Sequence, residues 1–185
     1  NISAVNVTGQ AGDGIYVSGG YSGTDLSVTA TGAVTGATVG ILADNSGSGQ
    51  LSISVADVTG ASSYGIRALN AGYGTGLAIT ASGDIVGGNA GIFATNRDSG
   101  EMIIDTAASV MGQNIGMDAR NLGTGGLTIS AFDVTGTDHN GILARNGFDI
   151  IGIDKYGNSI YGGTGIGTDL RVTATGSVSG GLDGI

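Results

Sequence analysis

Short runs in which aliphatic and polar residues alternate recur along the whole chain. In the run LSISV at 51–55 every second residue is aliphatic, and close variants are LAITA at 77–81 and LTISA at 127–131. Alternation with a period of two over a few residues is typical of a β-strand with one buried face. The pattern predicts an all-β protein in which aliphatic side chains line a core and the Ser and Thr side chains face water.

The runs belong to a repeat of about 25 residues, a period typical of solenoids. A glycine followed by an aliphatic residue marks each repeat, and the first five intervals between these glycines are equal to within one residue. The last interval is much longer, which indicates an insertion. Each complete repeat holds a marker run, an alternating run and a single valine or isoleucine before a glycine turn. The marker glycines are Gly14, Gly40, Gly65, Gly91, Gly116, Gly141 and Gly184.

Three short strands per repeat, kept in register, predict a parallel β-helix of about seven coils. Strands of successive coils would pair about 4.8 Å apart, so that equivalent residues stack along the axis and bury a continuous core. We therefore expect 1–185 to form a single β-helix segment. Neither end of the sequence resembles the polar cap that a solenoid requires, so we also expect a segment of a longer rod.

An asparagine recurs at the same distance after each of five marker glycines. Asparagine tolerates the backbone conformations of sharp turns, and stacked side-chain amides can form hydrogen bonds along the axis as a ladder. We expect a structural ladder, with a binding role as the lesser alternative. Its members are Asn45, Asn70, Asn96, Asn121 and Asn146.

Composition narrows the classes of partner and of chemistry. The chain has 15 acidic and 6 basic residues, and its net charge of −9 argues against nucleic acids, heparin-like glycans and anionic membranes as partners. The absence of cysteine excludes disulfides and thiolate metal sites. The single histidine, His139, leaves little for a catalytic triad. We expect no enzymatic activity, no cofactor and no metal site.

The insertion, at about 147–164, is the main candidate for recognition, because regular coils need only short turns. Tyrosine suits an interface since it combines apolar area with a polar tip. The alternative is a β-hairpin packed on the rod, with its turn at 156–158. The two interpretations are compatible. The candidate residues in the insertion are Phe148, Asp154, Lys155, Tyr156 and Tyr161.

Two further sets of charged residues repeat between coils. Arg120 and Arg145 share one repeat position on adjacent coils, where Asp118 could neutralise them or an anion or sugar acid could bridge them. The second set precedes the single valine or isoleucine, and paired carboxylates there could serve glycoside hydrolysis. Turn aspartates that accept backbone N–H groups are the preferred interpretation. This set comprises Asp57, Asp84 and Asp133.

The units GILADNSGSGQLSISVADVTG at 40–60 and GIFATNRDSG at 91–100 resemble the passenger repeats of autotransporters, the type V secretion proteins of Gram-negative bacteria. The resemblance implies a right-handed parallel β-helix and an outer-membrane β-barrel at the C-terminus of the parent chain. It also implies a secreted or cell-surface location. The function it implies is that of a non-enzymatic adhesin or virulence factor, which displays the inserted loop to a host cell-surface protein, a matrix or a glycan.

Two alternatives remain open. The chain could be a β-helix enzyme that acts on polysaccharide, which predicts an acidic groove. It could also be a passive stalk or a self-associating scaffold, which predicts that removal of the loop changes nothing.

Overall fold

The computed structural model describes residues 1–71, 73–97, 99–147, 149–153, 159–162 and 167–185. All the regular secondary structure of these residues is β-strand, joined by turns. For 149–153 and 159–162 only the backbone is described. No helix in the described part of the chain could cross a membrane. The strands are β1 (Ile2–Ala4), β2 (Val7–Gly9), β3 (Ile15–Gly19), β4 (Leu26–Ala30), β5 (Val34–Gly36), β6 (Ile41–Asn45), β7 (Gln50–Val55), β8 (Val58–Gly60), β9 (Tyr64–Asn70), β10 (Gly76–Ala81), β11 (Ile85–Gly87), β12 (Ala90–Asn96), β13 (Met102–Thr106), β14 (Val110–Gly112), β15 (Ile115–Asn121), β16 (Leu127–Ala131), β17 (Val134–Gly136), β18 (Ile142–Asn146), β19 (Asp149–Ile153), β20 (Ser159–Gly162), β21 (Leu170–Ala174) and β22 (Val178–Gly180).

Three parallel sheets run along the axis of the molecule. The first sheet is ordered β1-β4-β7-β10-β13-β16-β21, the second β2-β5-β8-β11-β14-β17-β22, and the third β3-β6-β9-β12-β15-β18. The predicted parallel β-helix is therefore confirmed. There are six complete coils and two strands of a seventh, slightly fewer than the seven predicted, because the count of marker glycines included Gly184, which only Ile185 follows.

The register between coils follows the sequence repeat. In the first sheet Leu77 pairs with Leu51 on one side and with Met102 on the other, and Met102 pairs with Leu127. All four side chains are fully buried. Full burial of such a side chain contributes about 1.5–3 kcal/mol, so a stacked aliphatic column stabilises the rod coil by coil.

Glycine is required where the second sheet turns into the third sheet. A Cβ atom on the last residue of each second-sheet strand would overlap a backbone carbonyl oxygen of the same corner; at Gly87, for example, it would overlap the oxygen of Ala90. A Cβ on the marker glycine Gly65 would lie 2.7 Å from Cγ2 of Ile85 on the next coil. None of these glycines has a positive φ angle, so the requirement comes from close approach rather than from backbone conformation.

Thr106 is a polar residue in the apolar column at the end of the first-sheet strands. It is 2% exposed, and its hydroxyl has no hydrogen-bond partner among the described residues. Thr106→Val should raise the free energy of unfolding by about 1 kcal/mol, because it removes a buried, unsatisfied hydroxyl and keeps the branched shape. Val55 at the equivalent position of β7 shows that the column accepts valine.

Urea denaturation followed by circular dichroism would measure this change. Thr128→Val is the matched control, since Thr128 lies on the exposed side of β16 and its substitution should change stability by less than about 0.5 kcal/mol. A loss of stability in Thr106→Val would show that the hydroxyl is satisfied.

Candidate functional site

The connections from the third sheet to the first sheet vary most in length, and they form one edge of the rod. The first five of these connections are short turns, whereas the whole segment 147–169 joins β18 to β21. In solenoids insertions concentrate on one face, which is often the binding face. We call this the variable edge, and it comprises 20–25, 46–49, 71–75, 97–101, 122–126 and 147–169.

The long connection contains two strands that do not belong to the rod. β19 and β20 pair antiparallel, with an irregularity between Ile150 and Gly152, and the described residues give them no other sheet partner. Their antiparallel pairing agrees with the hairpin of the alternative interpretation, and the packing of that hairpin on the rod stays a prediction. Tyr161 lies in β20, of which the backbone is described. The other candidate positions of the insertion lie outside the described residues, so their role in binding stays a prediction. They are Phe148, Asp154, Lys155, Tyr156 and the proposed turn at 156–158.

The structure adds two exposed tyrosines on the variable edge, Tyr21 and Tyr73, which the sequence pattern had not indicated as candidates. Tyr21 is 83% exposed and Tyr73 is 74% exposed, the two highest values among the large apolar and aromatic residues that the structure describes as exposed. A signal was present in the sequence, because Tyr21, Tyr73 and Tyr161 are each closely followed by Gly-Thr. The variable edge therefore carries tyrosines on its regular connections as well as on the insertion.

A cluster of charged and aromatic side chains lies on the outer face of the third sheet. Arg120 donates two hydrogen bonds to Asp118, from Nε to Oδ1 at 2.9 Å and from Nη2 to Oδ2 at 2.6 Å. The guanidinium carbon of Arg120 lies 5.0 Å from the ring centroid of Phe93, whose ring is 5.3 Å from that of Tyr64. Asp118 is only 2% exposed although it points outward.

The two predicted neighbours Arg120 and Arg145 are paired Cα partners on β15 and β18. Asp118 neutralises Arg120, which is the arrangement that the sequence favoured over a bridging anion. Arg145 also takes part in an interaction. The pair of arginines therefore does not by itself make a vacant anion site.

The aspartates between the first and second sheets act as hydrogen-bond acceptors for the backbone of the next coil. Asp57 Oδ1 accepts from Asp84 N at 2.9 Å, and Asp84 Oδ1 accepts from Ser109 N at 3.0 Å. Asp133 Oδ1 accepts from both the backbone N and the hydroxyl of Ser177. These contacts support the structural interpretation of the aspartates, because each of them already accepts a backbone N–H at a corner. The described residues contain no group of three potential metal ligands of the His, Cys, Asp or Glu type.

The five asparagines form a continuous ladder at the end of the third sheet. The side-chain nitrogen of Asn70 donates to Asn96 Oδ1 at 3.0 Å, and the three other neighbouring pairs are linked in the same direction at 2.9–3.1 Å. The side-chain nitrogen of each rung also donates to a backbone carbonyl, as Asn70 does to Gly76 O at 2.8 Å and Asn146 does to Asp169 O at 2.9 Å. In the first four rungs these bonds use both donor hydrogens, which leaves little for a ligand.

No protein family model matches the chain, and neither a curated protein nor a solved structure matches it significantly. The parallel β-helix is a property of the structure. The chain resembles autotransporter passengers only in its repeat pattern. The right-handed winding of the coils that this resemblance implies stays a prediction.

Proposed function

We propose that the chain is a β-helical segment of an autotransporter passenger, exposed on or secreted from a Gram-negative bacterium, and that it acts as a non-enzymatic adhesin. In this proposal the variable edge contacts a host cell-surface protein or matrix. The observation that supports the proposal is that the inserted hairpin and the exposed Tyr21 and Tyr73 lie on the same edge of the rod.

The chemistry of the variable edge suits protein recognition. Exposed tyrosines supply large rigid contact areas and a hydroxyl, and they are enriched where interfaces bind strongly. The rod supplies a rigid support, because its core is continuous and its sheets pair in register from coil to coil. The Asp57, Asp84 and Asp133 carboxylates are engaged with backbone N–H groups, so nothing in their arrangement favours a hydrolase.

Replacement of 147–169 with the segment 122–126 of the preceding coil should abolish binding to cultured host cells. The replacement restores the regular spacing between coils, so that β18 and β21 are joined as β15 and β16 are. Circular dichroism should show an unchanged β-rich spectrum, because β16 and β21 keep their register. Cell binding would be measured with the fluorescently labelled chain and its variant.

A second variant, Tyr21→Ser with Tyr73→Ser, should weaken cell binding while leaving the insertion intact. Phe132→Ser is the matched control, because Phe132 is 45% exposed and follows β16, at the opposite corner, where the first sheet turns into the second. Equal binding by the parent chain and the two edge variants would contradict the proposal and favour a passive stalk. Binding that is lost only in Phe132→Ser would place the contact on another face.

A further inference from the structure

The outer face of the second sheet carries a row of hydroxyl side chains that is interrupted at the middle of the rod. Each of its seven described strands presents a single outward side chain, and five of these are Thr or Ser. The two exceptions, Val86 and Met111, are paired neighbours on β11 and β14, and both are exposed. The hydroxyl members of the row are Thr8, Thr35, Thr59, Thr135 and Ser179.

Met111 differs in its exposure from the two other methionines of the chain. Met102 and Met117 are fully buried in the core, whereas Met111 is 47% exposed. An oxidant in water attacks a thioether through its exposed sulfur, and it reaches a buried sulfur only when the structure opens. Exposure of Met102 or Met117 would require neighbouring coils to separate, because each lies in a strand that is paired on both sides. The fold therefore leaves Met111 as the accessible thioether.

The surroundings of Met111 suit an oxidised side chain. Met111 pairs with Thr135 on the next coil, and Thr135 Oγ1 lies 3.2 Å from Ser179 Oγ, with either atom able to donate. A sulfoxide at residue 111 has an oxygen that accepts hydrogen bonds, and its partner strand is about 4.8 Å away. If Ser179 donates to Thr135, the Thr135 hydroxyl is free to donate to that oxygen, and water can satisfy it as well. The oxidised residue then matches the polar row in which it lies.

We propose that Met111 is a site of reversible oxidation, at which a hydroperoxide converts the thioether into a sulfoxide while the rod stays folded. The sulfur lone pair attacks one oxygen of hydrogen peroxide, so that an S–O bond forms and the O–O bond breaks. The proton on the transferred oxygen passes to the departing hydroxide, which leaves as water. Sulfur is oxidised by two electrons and the peroxide is reduced by two. A methionine sulfoxide reductase with a dithiol reverses the change and releases the oxygen as water.

Oxidation at Met111 changes the surface of the rod and leaves its core intact. The exposed apolar pair of Val86 and Met111 loses one member, and the middle of the second sheet becomes more polar. The same reaction at Met102 or Met117 would put a polar group among buried aliphatic side chains, which is costly. The site lies apart from the variable edge, which joins the third sheet to the first, and it does not depend on the function proposed for that edge.

Treatment of the full chain with hydrogen peroxide, followed by mass spectrometry, would test the site. The tryptic peptide 98–120 contains all three methionines, so its fragment ions compare them within one molecule. Met111 should gain an oxygen at least about tenfold faster than Met102 and Met117, because the buried sulfurs react only after opening. In concentrated urea the three rates should be similar. Incubation of the oxidised chain with methionine sulfoxide reductases for both sulfoxide epimers and dithiothreitol should restore the original mass.

The oxidised chain should keep the urea midpoint of the parent chain and should elute earlier from a hydrophobic-interaction column. Met111→Leu is the matched control, since it keeps an apolar side chain that peroxide does not oxidise, and its retention should not change on treatment. The proposal is wrong if Met102 or Met117 in the folded chain is oxidised as fast as Met111. It is equally wrong if oxidation at Met111 lowers the urea midpoint, or if treatment shortens the retention of Met111→Leu as much as that of the parent chain.

Discussion

Gly87→Ala is expected to lower the free energy of unfolding by about 3 kcal/mol, at the upper end of the usual range for one substitution. The new Cβ would overlap the carbonyl oxygen of Ala90 and would lie 2.7 Å from the backbone nitrogen of Gly65. Both atoms belong to backbone, so no side-chain rotation can relieve the contact. The corner between β11 and β12 would have to open, and its hydrogen bonds to the neighbouring coils would weaken.

Gly20→Ala is the control for this prediction. A Cβ on Gly20 meets nothing within 4 Å, and Gly20 has no positive φ angle, so its substitution should change stability by less than about 0.5 kcal/mol. The shift of the urea midpoint, followed by far-ultraviolet circular dichroism, measures both effects. Similar midpoints for Gly87→Ala and Gly20→Ala would show that the corner is loose and that its glycines are dispensable.

Asn96→Asp is expected to destabilise the protein by about 3–5 kcal/mol at neutral pH, because it buries a charge without a partner. Asn96 is fully buried, and its side-chain nitrogen donates to Asn121 Oδ1 at 2.9 Å and to Ser99 O at 3.3 Å. A carboxylate at this position has no proton to donate, so its oxygen would face Asn121 Oδ1 and Ser99 O without a hydrogen bond to either. The hydrogen bond from residue 96 to Asn121 on the next coil would be lost.

The loss of stability in Asn96→Asp should depend on pH in a defined direction. Burial and the facing oxygens would raise the pKa of the new carboxyl in the folded state above its value in the unfolded chain. The folded state then binds more protons between the two pKa values, so stability is greatest in acid and falls as pH rises, by about 1.4 kcal/mol per unit in that interval. Urea unfolding between about pH 4 and pH 8 measures this slope.

Gln113→Glu is the matched control for the pH dependence. It makes the same change from amide to carboxyl at an exposed position of the next coil, between β14 and β15. Its stability relative to the parent chain should stay nearly constant with pH. If the difference in unfolding free energy between Asn96→Asp and the parent chain also stayed constant with pH, water would be shown to reach the ladder.

The strands and their order followed from the sequence, because a parallel solenoid repeats one local pattern and has only one way to stack it. The spacing of marker glycines placed Ile66 beside Ile92, and the structure pairs them. The alternation of Leu51, Ile53 and Val55 likewise gives the buried side of β7. The period of the asparagines placed their amides in one column, where the structure shows the hydrogen-bonded ladder.

The candidate sites were less predictable, because outward positions obey no repeat. Tyr21 and Tyr73 lie in connections whose lengths differ from coil to coil, so their place on one edge cannot be seen without a coil-by-coil alignment. The contact of Arg120 with Phe93 joins neighbouring coils across two positions of the strand and depends on side-chain conformation.

The insertion between β18 and β21 leaves the pairing of the rod unchanged. Leu127 still pairs with Leu170 and Val134 with Val178, in the same register as between coils without an insertion. A change of length or composition at this corner is therefore not transmitted to the pairing of the neighbouring coils. Substitutions, insertions and deletions can therefore accumulate at this corner while the supporting coils stay the same, and the same property makes it a place to graft foreign peptide segments.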